Sequence, residues 1–200
     1  MVTHVKGMDP RVKRTHQLLQ QALQELMREK RFASITVQDI AERATLNRAT
    51  FYAHFEDKYE LLDSIVREKF QQEVASKLPP GSRWGVNTLR VLIEAVFDFL
   101  REVQSRRQPT DTQFEPLVER AVQQELSEFL VSWLKQAPAS GMRRQVPRET
   151  MALVMSWAMF GAAVQWSHGA KTTTKEQMVN YVLTMITEGV AHLTPGLLLE

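Results

Sequence analysis

Apolar residues recur along this chain at spacings of three and four, and almost nowhere in the alternation of a strand. From Pro10 to Lys30, Leu18, Leu19, Ala22, Leu23, Leu26 and Met27 fall on one helical face. Pro10 suits a first turn, and Asp9 is placed to cap it. A short helix is predicted over Thr36 to Ala44. Thr36 is its N-cap, Asp39 completes an acidic variant of the capping box, and Val37, Ile40, Ala41 and Ala44 form its inner face. Asn47 can cap a second short helix reaching about His54, with Phe51 and Phe55 four apart on one side. Another helix starts near Asp57 or Lys58 and runs towards Leu78, with Leu61, Leu62, Ile65, Val66, Phe70 and Val74 as its stripe. Pro79-Pro80-Gly81-Ser82 is the strongest breaker. Beyond it, helices are predicted over Val86–Val103, Pro116–Gln136, Arg148–His168 and Lys175–Leu193, with a short turn over Thr110–Gln113. The expected fold is all-α, with about nine helices.

Composition changes this picture little. The 200 residues are 44% hydrophobic and 24% charged, enough apolar material for a core. Cysteine is absent, which excludes disulfides and thiolate metal sites. No apolar run reaches bilayer length and no secretory leader is visible, so the chain reads as cytoplasmic, with no membrane partner. Charge is more informative. Residues 61–200 hold 15 basic and 15 acidic side chains, so the net charge of +2 belongs to the first 60 residues. Lys6, Arg11, Lys13 and Arg14 there face Asp9 alone. A basic N-terminal unit on a neutral body suits phosphate contact; a solvated basic tail fits the same numbers.

Residues 34–62, SITVQDIAERATLNRATFYAHFEDKYELL, combine two short helices, a tight turn and flanking longer helices. A helix-turn-helix needs this arrangement: one helix packs across the second, which exposes its outer face to the major groove. Ile40, Ala41, Leu46, Phe51 and Phe55 hold the angle, leaving Thr45, Asn47, Arg48, Ala49, Thr50, Tyr52 and His54 on or near the outside. Arg48 suits guanine or phosphate, Ala49 and Thr50 a thymine methyl, and Tyr52, His54 and Lys58 phosphates. A helical hairpin with a polar outer face is the competing explanation.

The segment closely resembles the DNA-binding domain of TetR-family repressors. The resemblance rests on Ile35-Thr36-Val37, Ile40-Ala41, Ala44, Thr50-Phe51-Tyr52, His54-Phe55, Lys58 and Leu61-Leu62, and covers roughly residues 10–70. It implies a DNA-binding domain over 10–73, with its motif at 36–55, and an effector-binding and dimerisation domain over 74–200. It implies phosphate contacts from Thr36 and Tyr52, Lys58 near the DNA backbone, and base edges read by residues 45–50, Leu46 among them. Family members usually carry Gly where Thr45 stands. Either the turn is closed differently here, or Thr45 accepts strain.

Residues 80–200 hold all four Trp and six of the nine Met. Met151, Met155 and Met159 form one stripe, which reads as core or as pocket lining. The resemblance favours a pocket for a small apolar or aromatic effector, near Phe97, Phe114, Phe129, Trp133, Met155, Trp157 and Met159. It also implies a homodimer on an inverted-repeat operator, joined through the last two helices at Gly161, Ala162, Val164, Met178, Tyr181 and Met185. No cofactor is expected, and the five His show no metal-ligand spacing. The rival classes are an enzyme and a helical adaptor. No phosphate loop, nucleophile elbow or zinc-protease motif supports the first, and the outward Arg48, Thr50, Tyr52 and His54 disfavour the second.

Overall fold

The computed structural model describes residues 9–78, 81–82, 84–105, 114–136, 146–169 and 172–193, with backbone alone at 114, 115 and 191–193. Among these residues there are eight α-helices and no strand. The helices are α1 (Pro10–Glu29), α2 (Val37–Arg43), α3 (Arg48–Tyr52), α4 (Lys58–Lys77), α5 (Val86–Ser105), α6 (Phe114–Gln136), α7 (Arg148–His168) and α8 (Lys175–Leu193). A 3-10 turn at Phe32–Ser34, not foreseen, joins α1 to α2. The fold is therefore all-α, with eight helices and one 3-10 turn where about nine helices were expected. The turn expected over 110–113 lies outside the described residues.

The chain divides into two compact units within α4. The smaller takes described residues 9–69 and 114–122, the larger 70–105 and those from 123 on. In the smaller unit the helix limits are written in capping chemistry. Asp9 accepts from Arg11 N at 2.8 Å ahead of Pro10, starting α1. Thr36 Oγ1 accepts from Asp39 N at 3.1 Å while Asp39 Oδ2 accepts from Thr36 N at 2.7 Å, a reciprocal box that starts α2. Leu19, Leu23 and Leu26 of α1 are buried with Ile40, Ala41, Phe51, Phe55, Leu61 and Ile65. Each such large side chain contributes roughly 1.5–3 kcal/mol by leaving water, enough to fix how α1, α2 and α3 cross.

In the larger unit α5 packs against both α7 and α8. Its buried residues, Leu89, Leu92, Ile93, Ala95, Val96, Phe97, Phe99 and Leu100, form one broad apolar face, wide enough to meet two helices. Asp98 is its anchored polar point. The carboxylate accepts from Lys77 Nζ of α4 at 2.8 Å and from Lys175 Nζ of α8 at 2.8 Å. Burial alone would raise the Asp98 pKa, yet the two ammonium groups hold it below the usual carboxylate range.

Candidate nucleic-acid interface

The turn between α2 and α3 is a Schellman closure. Leu46 N donates to Ala41 O at 2.9 Å and Thr45 N to Glu42 O at 3.0 Å, which satisfies the last carbonyls of α2. The residue between them must adopt a left-handed backbone, and Thr45 does so with φ +58°. It is the sole described non-glycine residue with positive φ. Of the two alternatives open in the sequence, the strained one is realised, at a cost of about 1–2 kcal/mol for an L-residue with a Cβ.

α3 is shorter than expected, ending at Tyr52. Asn47 Oδ1 starts it by accepting from Thr50 N at 2.7 Å and from Thr50 Oγ1 at 3.0 Å. The Thr50 hydroxyl is thus committed to the cap, and its methyl is what remains for a base. Thr45, Asn47, Arg48, Ala49 and Tyr52 are exposed, and Leu46 is half-buried. Phe51, between Thr50 and Tyr52, is fully buried and locks the helix to the core. Arg48 lies along the outer face, its guanidinium 5.7 Å from the Tyr52 ring centroid and Nη2 3.3 Å from the Tyr52 hydroxyl. The two form one amphipathic cationic patch on the exposed side of the helix.

The flanking positions are held from below. The half-buried His54 meets His16 of α1 edge-on at 5.1 Å, and His16 also packs 4.7 Å from Phe55. Burial, then the neighbouring His54, lowers the His16 pKa. Exposed Thr36 stands at the start of α2, its hydroxyl 2.7 Å from Asp39 Oδ2. The Asp39 carboxyl, paired with Lys30 at 2.9 Å, is pulled down to about 2 by that ammonium and by the N–H and hydroxyl of Thr36. Arg43 grips Glu29 of α1 through two bonds of 2.9 and 2.7 Å, lowering the Glu29 pKa and bracing α2 against α1.

Lys58, expected near the DNA backbone, is engaged within the unit. Its Nζ donates to three carbonyls of the 3-10 turn and the residue after it: Phe32 O at 2.9 Å, Ala33 O at 3.1 Å and Ile35 O at 2.7 Å. The Phe32 and Tyr59 rings flank it at 4.8 and 5.5 Å. An ammonium has three hydrogens and all three have acceptors here, so Lys58 ties α4 to the 3-10 turn.

In the larger unit, Phe97, Met155 and Met159 are buried, while Phe129 and Trp133 stack at 4.6 Å. Trp84, which the sequence reading passed over, joins them edge-on to Trp133 at 5.9 Å. Its buried indole N–H has no acceptor among the described residues. The Phe114 side chain lies outside the described residues. Trp157 corrects an expectation: it is 54% exposed, on the side of α7 away from the methionines. Two residues from both Met155 and Met159, it is turned about 200° from them on a helix of 3.6 residues per turn. It belongs with Leu153, Val154, Tyr181 and Met185, all exposed on α7 and α8. Of the dimerisation candidates, Gly161 is exposed on this surface, Val164 and Met178 are half-buried beside it, and Ala162 is half-buried towards the methionine side. A cleft of about 290 Å³ opens beside them, lined by Met151, Val154, Met155, Ala158, Met185 and Ile186 among others. Among the described residues, no His, Asp or Glu cluster could hold a metal, and no helix is long and apolar enough to cross a membrane.

A short capped helix that turns Arg48, Ala49 and Tyr52 outward, set on α1 and α2 by a strained turn, defines a helix-turn-helix of the DNA-binding class. The comparisons agree. Residues 19–65 match the family described as bacterial regulatory proteins, tetR family. An uncharacterized HTH-type transcriptional regulator of Bacillus subtilis is 41% identical over 63 residues, 31% of this chain and 17% of that protein. Similarity to solved structures extends further along the chain. A TetR-family regulator from Streptomyces coelicolor A3 aligns over 92% of this chain and 99% of its own, at TM-score 0.61 and 14% identity. Thermus thermophilus FadR, a TetR-family repressor solved with lauroyl-CoA, aligns over 87% and 94%, at TM-score 0.50 and 19% identity. Residues 19–65 thus match the tetR-family model of bacterial regulatory proteins, and the chain shares its all-α fold with solved TetR-family regulators.

Proposed function

We propose that the protein is a sequence-specific regulator, a homodimer that binds an inverted-repeat operator through α3 and is released by a small apolar or aromatic effector. The observation that carries DNA reading is the exposed outer face of α3 on a buried Phe51 anchor. Arg48 and Ala49 would meet base edges, as would the Thr50 methyl, with Leu46 at the rim. Thr36, Tyr52 and His54 would meet phosphates.

Dimerisation is supported by the surface of α7 and α8. Every exposed large apolar side chain described in the larger unit lies on these two helices. Such a patch on an otherwise polar surface marks an interface. Gly161 has open space over its Cα, so a partner helix can approach closely there. The effector reading is supported by the Trp84, Phe129 and Trp133 cluster with its unmet indole N–H. A buried donor without an acceptor suits a flat ligand bearing a carbonyl or carboxylate. Release would require that the ligand favour a dimer geometry with mis-spaced recognition helices; equal affinity for both geometries shifts nothing.

A gel shift with genomic fragments at moderate salt tests the proposal. Retention of particular fragments in the presence of excess unrelated DNA supports it. Uniform, competitor-sensitive binding, or none, favours a helical adaptor.

A further inference from the structure

The left-handed Thr45 needs an explanation. The Schellman closure of α2 calls for a residue that tolerates positive φ, ordinarily glycine, and a β-branched side chain is among the worst choices. Thr45 is exposed, and its hydroxyl has no hydrogen-bond partner among the described residues. The contrast with its neighbours is instructive. The hydroxyl of Thr36 is bonded to Asp39, and that of Thr50 to Asn47. Thr45 alone of the three holds its hydroxyl unengaged, on a backbone that would be more stable without a side chain.

We infer that Thr45 is kept in this conformation to place its hydroxyl on a phosphate oxygen of bound duplex DNA, stability being given up for contact. The inference rests on the DNA-binding reading above. Position decides for phosphate over base. In a helix-turn-helix the first helix crosses the backbone and the second enters the groove, so the connecting turn passes the groove rim where the phosphates run. The contact carries no base information, and a neutral hydroxyl displaces no counter-ion.

Two substitutions separate strain from contact. Thr45→Gly removes both, and Thr45→Val keeps the strain and shape but loses the hydroxyl. The probes are a labelled 30-base-pair duplex selected from a random pool by the parent protein, and a scrambled duplex of the same composition. Thr45→Gly is expected to melt about 2–8 °C above the parent, from the strain of one left-handed L-residue spread over a chain of this size. Both variants are expected to bind both duplexes about a hundredfold more weakly, roughly tenfold for each of the dimer's two hydroxyls, with unchanged salt dependence. Parent-like affinity in both variants would overturn the contact while leaving the DNA reading intact. A loss confined to the selected duplex would make the contact one to a base and overturn the phosphate assignment. A lower melting temperature for Thr45→Gly would overturn the strain argument. A parent protein that retains no duplex from the pool would overturn the DNA reading itself.

Discussion

Replacing Lys58 by methionine separates two roles that one lysine at the start of α4 could play. The methionine keeps most of the stem and removes the ammonium, so Phe32 O, Ala33 O and Ile35 O lose a shared donor. Hydrogen bonds to a charged group contribute roughly 1.5–3 kcal/mol each, but simple addition does not apply here, because carbonyls near the surface regain water. Ala33 is exposed, whereas the Phe32 and Ile35 bonds are part-buried. The loss should therefore be about 2–4 kcal/mol, or roughly 5–12 °C in melting temperature for a chain of this size. Circular dichroism melts measure it directly. The companion measurement is the salt dependence of DNA binding at a temperature where the variant is folded. A lysine on phosphate contributes about one to the slope of log K against log salt, and a lysine on carbonyls contributes none. Lys58→Met should lower the melting temperature and leave the slope unchanged. An unchanged melt with a slope reduced by about two, one for each protomer's lysine, would refute the internal role.

Arg48→Ala should cost roughly 1–3 kcal/mol of specific binding and relax base preference at one symmetric position of each half-site, whereas Tyr52→Phe should weaken binding evenly across sequences; binding to a set of single-base variants of the selected site checks both. Gly161→Arg should produce monomer in sedimentation at micromolar concentration while leaving the packing within its own chain intact, because nothing lies within 4 Å of a Cβ built there; a persistent dimer would remove α7 from the interface. The Asp39 carboxyl, held down to about 2, stabilises the smaller unit most fully above its unfolded pKa of about 4 and loses that contribution as pH falls towards 2. Acid titration should show this loss in the parent and not in Asp39→Asn, followed by the near-ultraviolet signal of Phe32 and Tyr59.

The helix limits were legible because their signals are local. Asp9-Pro10, Thr36 with Asp39, and Asn47 each cap the helix that the pattern places after them. The strain at Thr45 was visible as a conflict between a turn that needs positive φ and a residue that resists it. The contacts of Lys58 with Phe32 O, Ala33 O and Ile35 O were not legible, because backbone carbonyls leave no mark on a sequence. Trp157 was misplaced because aromatic character was weighed above helical phase, although its offset from Met155 and Met159 already puts it on the far side. The place of Trp84 was not legible since its ring partner, Trp133, is 49 positions away and only packing brings them together.

The most direct test is selection of bound duplexes from a random pool by the full-length protein, followed by sequencing. The account predicts an enriched inverted repeat whose half-site centres lie roughly one helical turn apart, about 34–36 Å, or a small multiple of that. Arg48→Ala should blur one position in each half. Enrichment of no sequence, or of a single site without symmetry, would contradict it.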